Sequence, residues 1–112
     1  MNKTGLYRHF KGNYYEVLGI AINDANERLV FYRQMYEPFG FWLRPEDMFF
    51  EEKDTEQGKV KRFKKIGDST ENMMGNVDIS SLRIRHSENE EIYQIRSWNK
   101  EERIFEVINV AE

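Results

Sequence analysis

Apolar and polar residues alternate along most of this chain with the two-residue period of β-strands. The run YYEVLGIAI (14–22) is rich in aromatic and β-branched residues and has no helical stripe. RLVFYRQMY (28–36) sets Leu29, Phe31 and Met35 on one face and Val30, Tyr32 and Tyr36 on the other. Between them NDAN (23–26) gathers residues that tolerate left-handed turns, so the two runs are expected to form a hairpin. Upstream, GLYRHFKGNYYEV (5–17) reads as a first strand, a Lys-Gly turn that Gly12 permits, and the start of the second strand.

EPFG (37–40) predicts a further turn, and FWLR (41–44) a short strand stopped by Pro45, which has no backbone donor. PEDMFFEE (45–52) opens with proline and two acids, so one helical turn should lead into a strand over 48–53. DTEQGK (54–59) turns the chain. VKRFKKI (60–66) then alternates Val60, Arg62, Lys64 and Ile66 against Lys61, Phe63 and Lys65. GDSTENMMGN (67–76) has little periodicity and predicts a loop or linker over 67–77. Three more strands are expected at 78–86, 91–98 and 103–110, separated by SENE and NKEE at hairpin lengths. The pattern describes an all-β protein whose last three strands form an antiparallel extension, completing or packing on the first sheet.

Composition narrows the function classes. A chain of 112 residues suits one domain, and 14% aromatic residues predict a core built from a few large rings. The absence of cysteine excludes disulfides and thiolate chemistry and favours a cytoplasmic home. The first residues, MNKTGLYRHF, lack the apolar stretch of a secretory signal, and no apolar run is long enough for a membrane span. The net charge of −3 is uneven: residues 1–66 carry +2 and residues 67–112 carry −5. Such asymmetry marks either a charged binding face or an ordinary solvated surface.

The blocks GLYRHFKGNYYEVLGIA, VFYRQMY, FWLRPEDMFFE and RFKKI occur in an order and spacing that resemble a mainly bacterial family, domain of unknown function 1653. The resemblance spans about residues 5–66. It falls on Gly5, Tyr7, Arg8, His9, Lys11 and Gly12, then Tyr32 and Tyr36. Further along it falls on Trp42, Arg44, Pro45, Met48 and Phe49, and then on Glu51, Arg62 and Phe63. It implies a small SH3-like barrel over 5–66 and carries no biochemical activity with it. One departure follows Ala21, where the family commonly has a His-Ser-Glu-Thr-like segment and this chain reads NDAN. Any chemistry of that segment is lacking here. The resemblance is silent on 67–112.

Three constellations are candidates for function. Arg8, Arg44 and Arg62, with Tyr7, Tyr32, Tyr36, Trp42 and His9, would form an aromatic–arginine groove if the strands bring them together. Such a groove suits a peptide or protein segment, because a guanidinium both pairs with carboxylates and stacks on rings. The competing reading pairs each arginine with Glu46, Glu51 or Glu52. Second, Lys59, Lys61, Arg62, Phe63, Lys64 and Lys65 form a basic strand that could follow a nucleic-acid backbone, aided by Arg83 and Arg85. Strand alternation and the acidic net charge count against it. Third, His9 with Arg44 would be the core of an enzyme with a histidine-dependent pH profile.

A lone histidine has no orienting acid or nucleophile in sequence, and only His86 accompanies it. Adjacent acids such as Glu51 and Glu52 point to opposite strand faces and cannot flank one bond. No phosphate loop, nucleophile elbow, metal-ligand spacing or cofactor motif is present. No metal or cofactor is therefore expected. The leading expectation is a non-catalytic binding module for a peptide or protein segment, with nucleic acid second and the enzyme third.

Overall fold

The computed structural model describes residues 3–68 and 78–110. Its strands are β1 (Gly5–His9), β2 (Tyr14–Ile22), β3 (Arg28–Gln34), β4 (Phe41–Pro45), β5 (Glu52–Thr55), β6 (Gly58–Lys61), β7 (Phe63–Gly67), β8 (Ile84–His86), β9 (Ile92–Asn99) and β10 (Ile104–Asn109). A single helical turn, α1 (Glu46–Phe49), and a 3₁₀ turn (Ile79–Ser81) complete the list of elements. Most of the loop expected over 67–77 lies outside the described residues. Among those described, no helix is long and apolar enough to cross a membrane.

The protein is all-β. Six strands, in the order β2–β3–β4–β8–β9–β10, close on themselves through a parallel pairing of β10 with β2. The SH3-like expectation is compatible with this barrel. β1 pairs with the first half of β2 and carries β7 on its other side, while β5 and β6 form a separate hairpin. β2 can serve two partners because it is kinked. Its register against β3 shifts between Val17 and Gly19, so the first half turns toward β1 and the second half toward β10.

Gly19 is what lets β10 close the ring. A Cβ there would run into the Arg103 carbonyl oxygen and lie 2.7 Å from the Phe105 ring. Only a residue without a side chain admits that approach.

Both faces of the β2–β3–β4 sheet are buried, which gives two cores. Leu29 and Phe31 pack with Leu43, Ile84, Tyr93 and Phe105 inside the closed barrel. Val30 and Tyr32, the alternate residues of the same strand, pack with Tyr7, Val17, Phe49 and Phe63 on the opposite side. The first core contains a Trp98–Phe105 stack with centroids 5.2 Å apart. The second contains a Phe49–Phe63 stack at 4.0 Å. Each such ring removes a large apolar area from water, and the ring contacts add to it.

Three elements differ from expectation. The strand expected at 60–66 is two strands that meet at a bend at Arg62. There the backbone N–H donates to Glu51 O and the carbonyl accepts from Phe10 N–H, so the residue leaves the β5–β6 ladder and joins β1. Over 78–86 only Ile84–His86 is strand. Asp78 Oδ1 accepts from the Ser80 backbone N–H at 3.2 Å and its hydroxyl at 2.7 Å, bonds that favour a turn over an extended chain. The strand expected at 48–53 starts only at Glu52, because α1 carries Phe49 into the second core.

Candidate functional site

Two surfaces meet at the end of β1, on opposite faces of the sheet. Tyr7 and His9 point toward the second core and Arg8 points away, as alternate strand residues must.

On the inner side lies a cluster of tyrosines and arginines. The Tyr15 and Tyr36 hydroxyls are hydrogen-bonded at 2.6 Å, and the Tyr15 ring packs edge-on against Tyr32, Tyr36 and Phe63. Tyr32 is buried, and its hydroxyl pKa is pushed up to about 12, chiefly by desolvation, with Arg44 opposing. Burial also raises Tyr15, reinforced by its bond to Tyr36. These hydroxyls therefore stay protonated at neutral pH. Arg44 Nη1 donates to Glu88 Oε2 at 3.2 Å, and Arg62 Nε donates to Glu51 Oε1 at 2.7 Å. Glu88 is presented by the loop after β8, where buried His86 accepts from the backbone N–H groups of Glu88 and Asn89.

The residues expected to form an aromatic–arginine groove are thus distributed as follows. Tyr7 is buried in the second core, donates to Lys3 O at 2.7 Å and packs on Phe49 and Phe50. Tyr32 is buried beside Arg44, and Tyr36 is exposed at the rim. The Trp42 indole N–H donates to the side-chain oxygen of buried Gln34 at 2.7 Å. His9 sits between the rings of Phe10 and Phe63, its Nδ1 accepting from the Lys11 backbone N–H at 3.1 Å. Burial lowers the His9 pKa, and the charges of Arg62, Lys11 and Arg44 lower it further. Arg44 and Arg62 thus flank His9 with both charges already paired, and Arg8 is on the other face. Of the carboxylates weighed as partners in the sequence, Glu51 takes Arg62, while Glu46 takes Arg28 instead.

On the outer side, β1 and β7 face the β5–β6 hairpin across a cleft of about 610 Å³. Arg8, Lys59, Lys61 and Lys64 line it together with one carboxylate, Glu52, which stands opposite Lys61 in the β5–β6 register. His9 and Phe10 reach its edge, and Val60 and Ile66 supply apolar surface. Arg8 and Lys64 are directly opposite one another in the β1–β7 register. Tyr14 of β2 is directly opposite Arg8 on its other side. One row across three strands therefore reads Lys64, Arg8, Tyr14, with all three side chains exposed on one face. Tyr14 is 46% exposed and Ile66 47%. Among the described residues, Arg8, Lys61 and Lys64 form no ion pair, and Lys59 reaches only the exposed Asp54 at 3.8 Å.

Of the basic run, Phe63 is in the core, Lys65 sits beside Asp68 at 3.7 Å, and Arg62 is held by Glu51. The bend at Arg62 is what lets Lys59, Lys61 and Lys64 share one cleft. Tyr14 is the residue that sequence reasoning missed: a tyrosine within a strand-forming run carries no sign of which face it takes. Among the described residues, no three histidine, aspartate or glutamate side chains gather to hold a metal.

Fold and surface together define a small all-β barrel protein with a basic cleft on its added edge. The chain belongs to the family described as Protein of unknown function (DUF1653), whose sequence pattern matches residues 5–65. It is also similar to a crystal structure of a protein of that family from Bordetella bronchiseptica. The two are 35% identical with a TM-score of 0.56, over 62% of this chain and 92% of the other. A comparison with curated proteins gives no match.

Proposed function

We propose that the protein is a non-catalytic binding module that takes an extended anionic ligand in the cleft between β1, β7 and the β5–β6 hairpin. One observation carries this reading: two cations, Arg8 and Lys64, face each other in register with no carboxylate on either. Like charges directly opposite on a sheet destabilise it, whereas Lys61 on the facing hairpin stands opposite Glu52 in its own register. An anionic ligand relieves that cost. The aromatic–arginine cluster supports the reading less well, because the charges of Arg44 and Arg62 are already paired with Glu88 and Glu51 and most of its hydroxyls are bonded, although Arg44 Nε has no hydrogen-bond partner among the described residues.

Binding to inorganic polyphosphate, followed by calorimetry at rising salt, tests the proposal. Affinity should fall steeply with ionic strength, as contacts to exposed charges are screened. Arg8→Glu and Lys61→Glu should each weaken it, while Arg83→Glu, outside the cleft, should not. Equal binding by the wild type and Arg8→Glu would falsify the assignment.

A further inference from the structure

We propose that the anionic ligand is single-stranded nucleic acid, its phosphates held by Arg8, Lys61 and Lys64 and one base stacked on Tyr14. This rests on the anion-binding reading above and names the ligand class for the same surface. Three observations distinguish it from a plain polyanion site.

The first is the row Lys64, Arg8, Tyr14, which sets an aromatic ring next to two cations on one sheet face. Adjacent strands lie about 4.8 Å apart, so the row spans roughly 10 Å, short enough for a backbone to run along it while a base turns onto the ring. The second is that Tyr14 is 46% exposed and its hydroxyl makes no hydrogen bond among the described residues. Folding therefore gains little from this ring, and its flat face is open to a partner. The third is Ile66, 47% exposed on the same outer face as Lys64, which extends the apolar surface along β7. An acidic peptide without aromatic residues, such as polyglutamate, would satisfy the cations but has no ring to place on Tyr14. A base offers a π-face whatever its identity, so recognition here would be tolerant of sequence. A duplex hides its base faces within the stack and would reach only the cations.

Fluorescence anisotropy of the full chain with labelled oligothymidylate and oligouridylate of about 12 nucleotides tests the assignment. Unlabelled polyphosphate and polyglutamate of matched charge serve as competitors. The wild type should bind the oligonucleotides, with log Kd rising with log salt at a slope of about 2 for three phosphate contacts. Tyr14→Ala should weaken oligonucleotide binding about fivefold or more, and Tyr14→Phe should restore it, because stacking needs the ring and not the hydroxyl. Polyphosphate binding should be the same in wild type and Tyr14→Ala.

Unchanged oligonucleotide affinity in Tyr14→Ala overturns the nucleic-acid assignment while leaving the anion reading intact. Tighter binding of polyglutamate than of the oligonucleotides overturns it in favour of an acidic protein segment. Failure of every polyanion to bind overturns both readings. Tyr14 is exposed and lies outside both cores, so its variants are expected to melt with the wild type, which circular dichroism checks.

Discussion

His9 is held neutral by its surroundings. Its partial burial disfavours the imidazolium, and Arg62 and Arg44, from the β6–β7 bend and β4, together with Lys11 of the β1–β2 turn, repel it. Its other neighbours, Tyr15 of β2 and Phe63 of β7, carry no charge at neutral pH. The sign of the effect on stability follows. Between the lowered value and the unperturbed one near 6.5, the unfolded chain binds more protons than the folded chain. Stability from this group is therefore complete above about 6.5 and falls as pH drops through that window. An NMR titration of the His9 ring should give a midpoint below the unperturbed value, and a midpoint at or above it would contradict the geometry. A polyanion in the adjoining cleft should move the midpoint up.

The same scale separates binding from folding at Lys64. Lys64→Glu places a carboxylate opposite Arg8, converting a repulsive cross-strand pair into an attractive one. Thermal unfolding should show a gain of about 0.5 kcal/mol, while anion binding is lost. A variant that both melts lower and binds less would mean that Lys64 matters only to the fold.

At the scale of elements, the kink in β2 decides how the chain closes. Gly19→Ala forces a methyl group against the Arg103 carbonyl and the Phe105 ring, so β10 must move away. The expected cost is about 1–3 kcal/mol, comparable to other overpacked sites. Amide exchange should locate it, with protection lost first in Ile104–Asn109 and retained in β1 and β7.

Strand identity was largely legible in the sequence, because alternation is a local property and β2, β3, β9 and β10 lie close to their expected bounds. What was not legible is which strands become neighbours. The pairing of Arg8 with Lys64 joins residues far apart in the chain, and the parallel contacts of β4 with β8 and β10 with β2 have no local signature. The bend at Arg62 was hidden for the same reason. It depends on Glu51 and Phe10, and an alternating run of charged residues does not reveal a change of partner. The candidate site was half visible: its cations are conspicuous in the sequence, but their common face appears only once β1 lies between β2 and β7.

For the whole molecule, the last three strands are structural necessities of the closed barrel. A chain ending at Asp68 would leave Leu29, Phe31 and Leu43 without Ile84, Tyr93 and Phe105 over them. It should bind hydrophobic dyes and self-associate in analytical ultracentrifugation, whereas the full chain should not. The two cores should also melt together. Phe31→Ala and Phe49→Ala each remove a fully buried ring, one from each core, at an expected cost of about 3–5 kcal/mol. Fluorescence and far-ultraviolet dichroism should give coincident transitions in both variants, since separate transitions would mean that the cores fold independently.

Consecutive residues of β3 answer to different interiors: Leu29 and Phe31 to one, Val30 and Tyr32 to the other. The strand acts as a party wall. Its backbone rests where two sets of side chains balance, and neither interior can be refilled without shifting the wall seen by its neighbour. Substitutions at Phe31 and Val30 should consequently be tolerated or rejected in pairs, although the two side chains share no chamber.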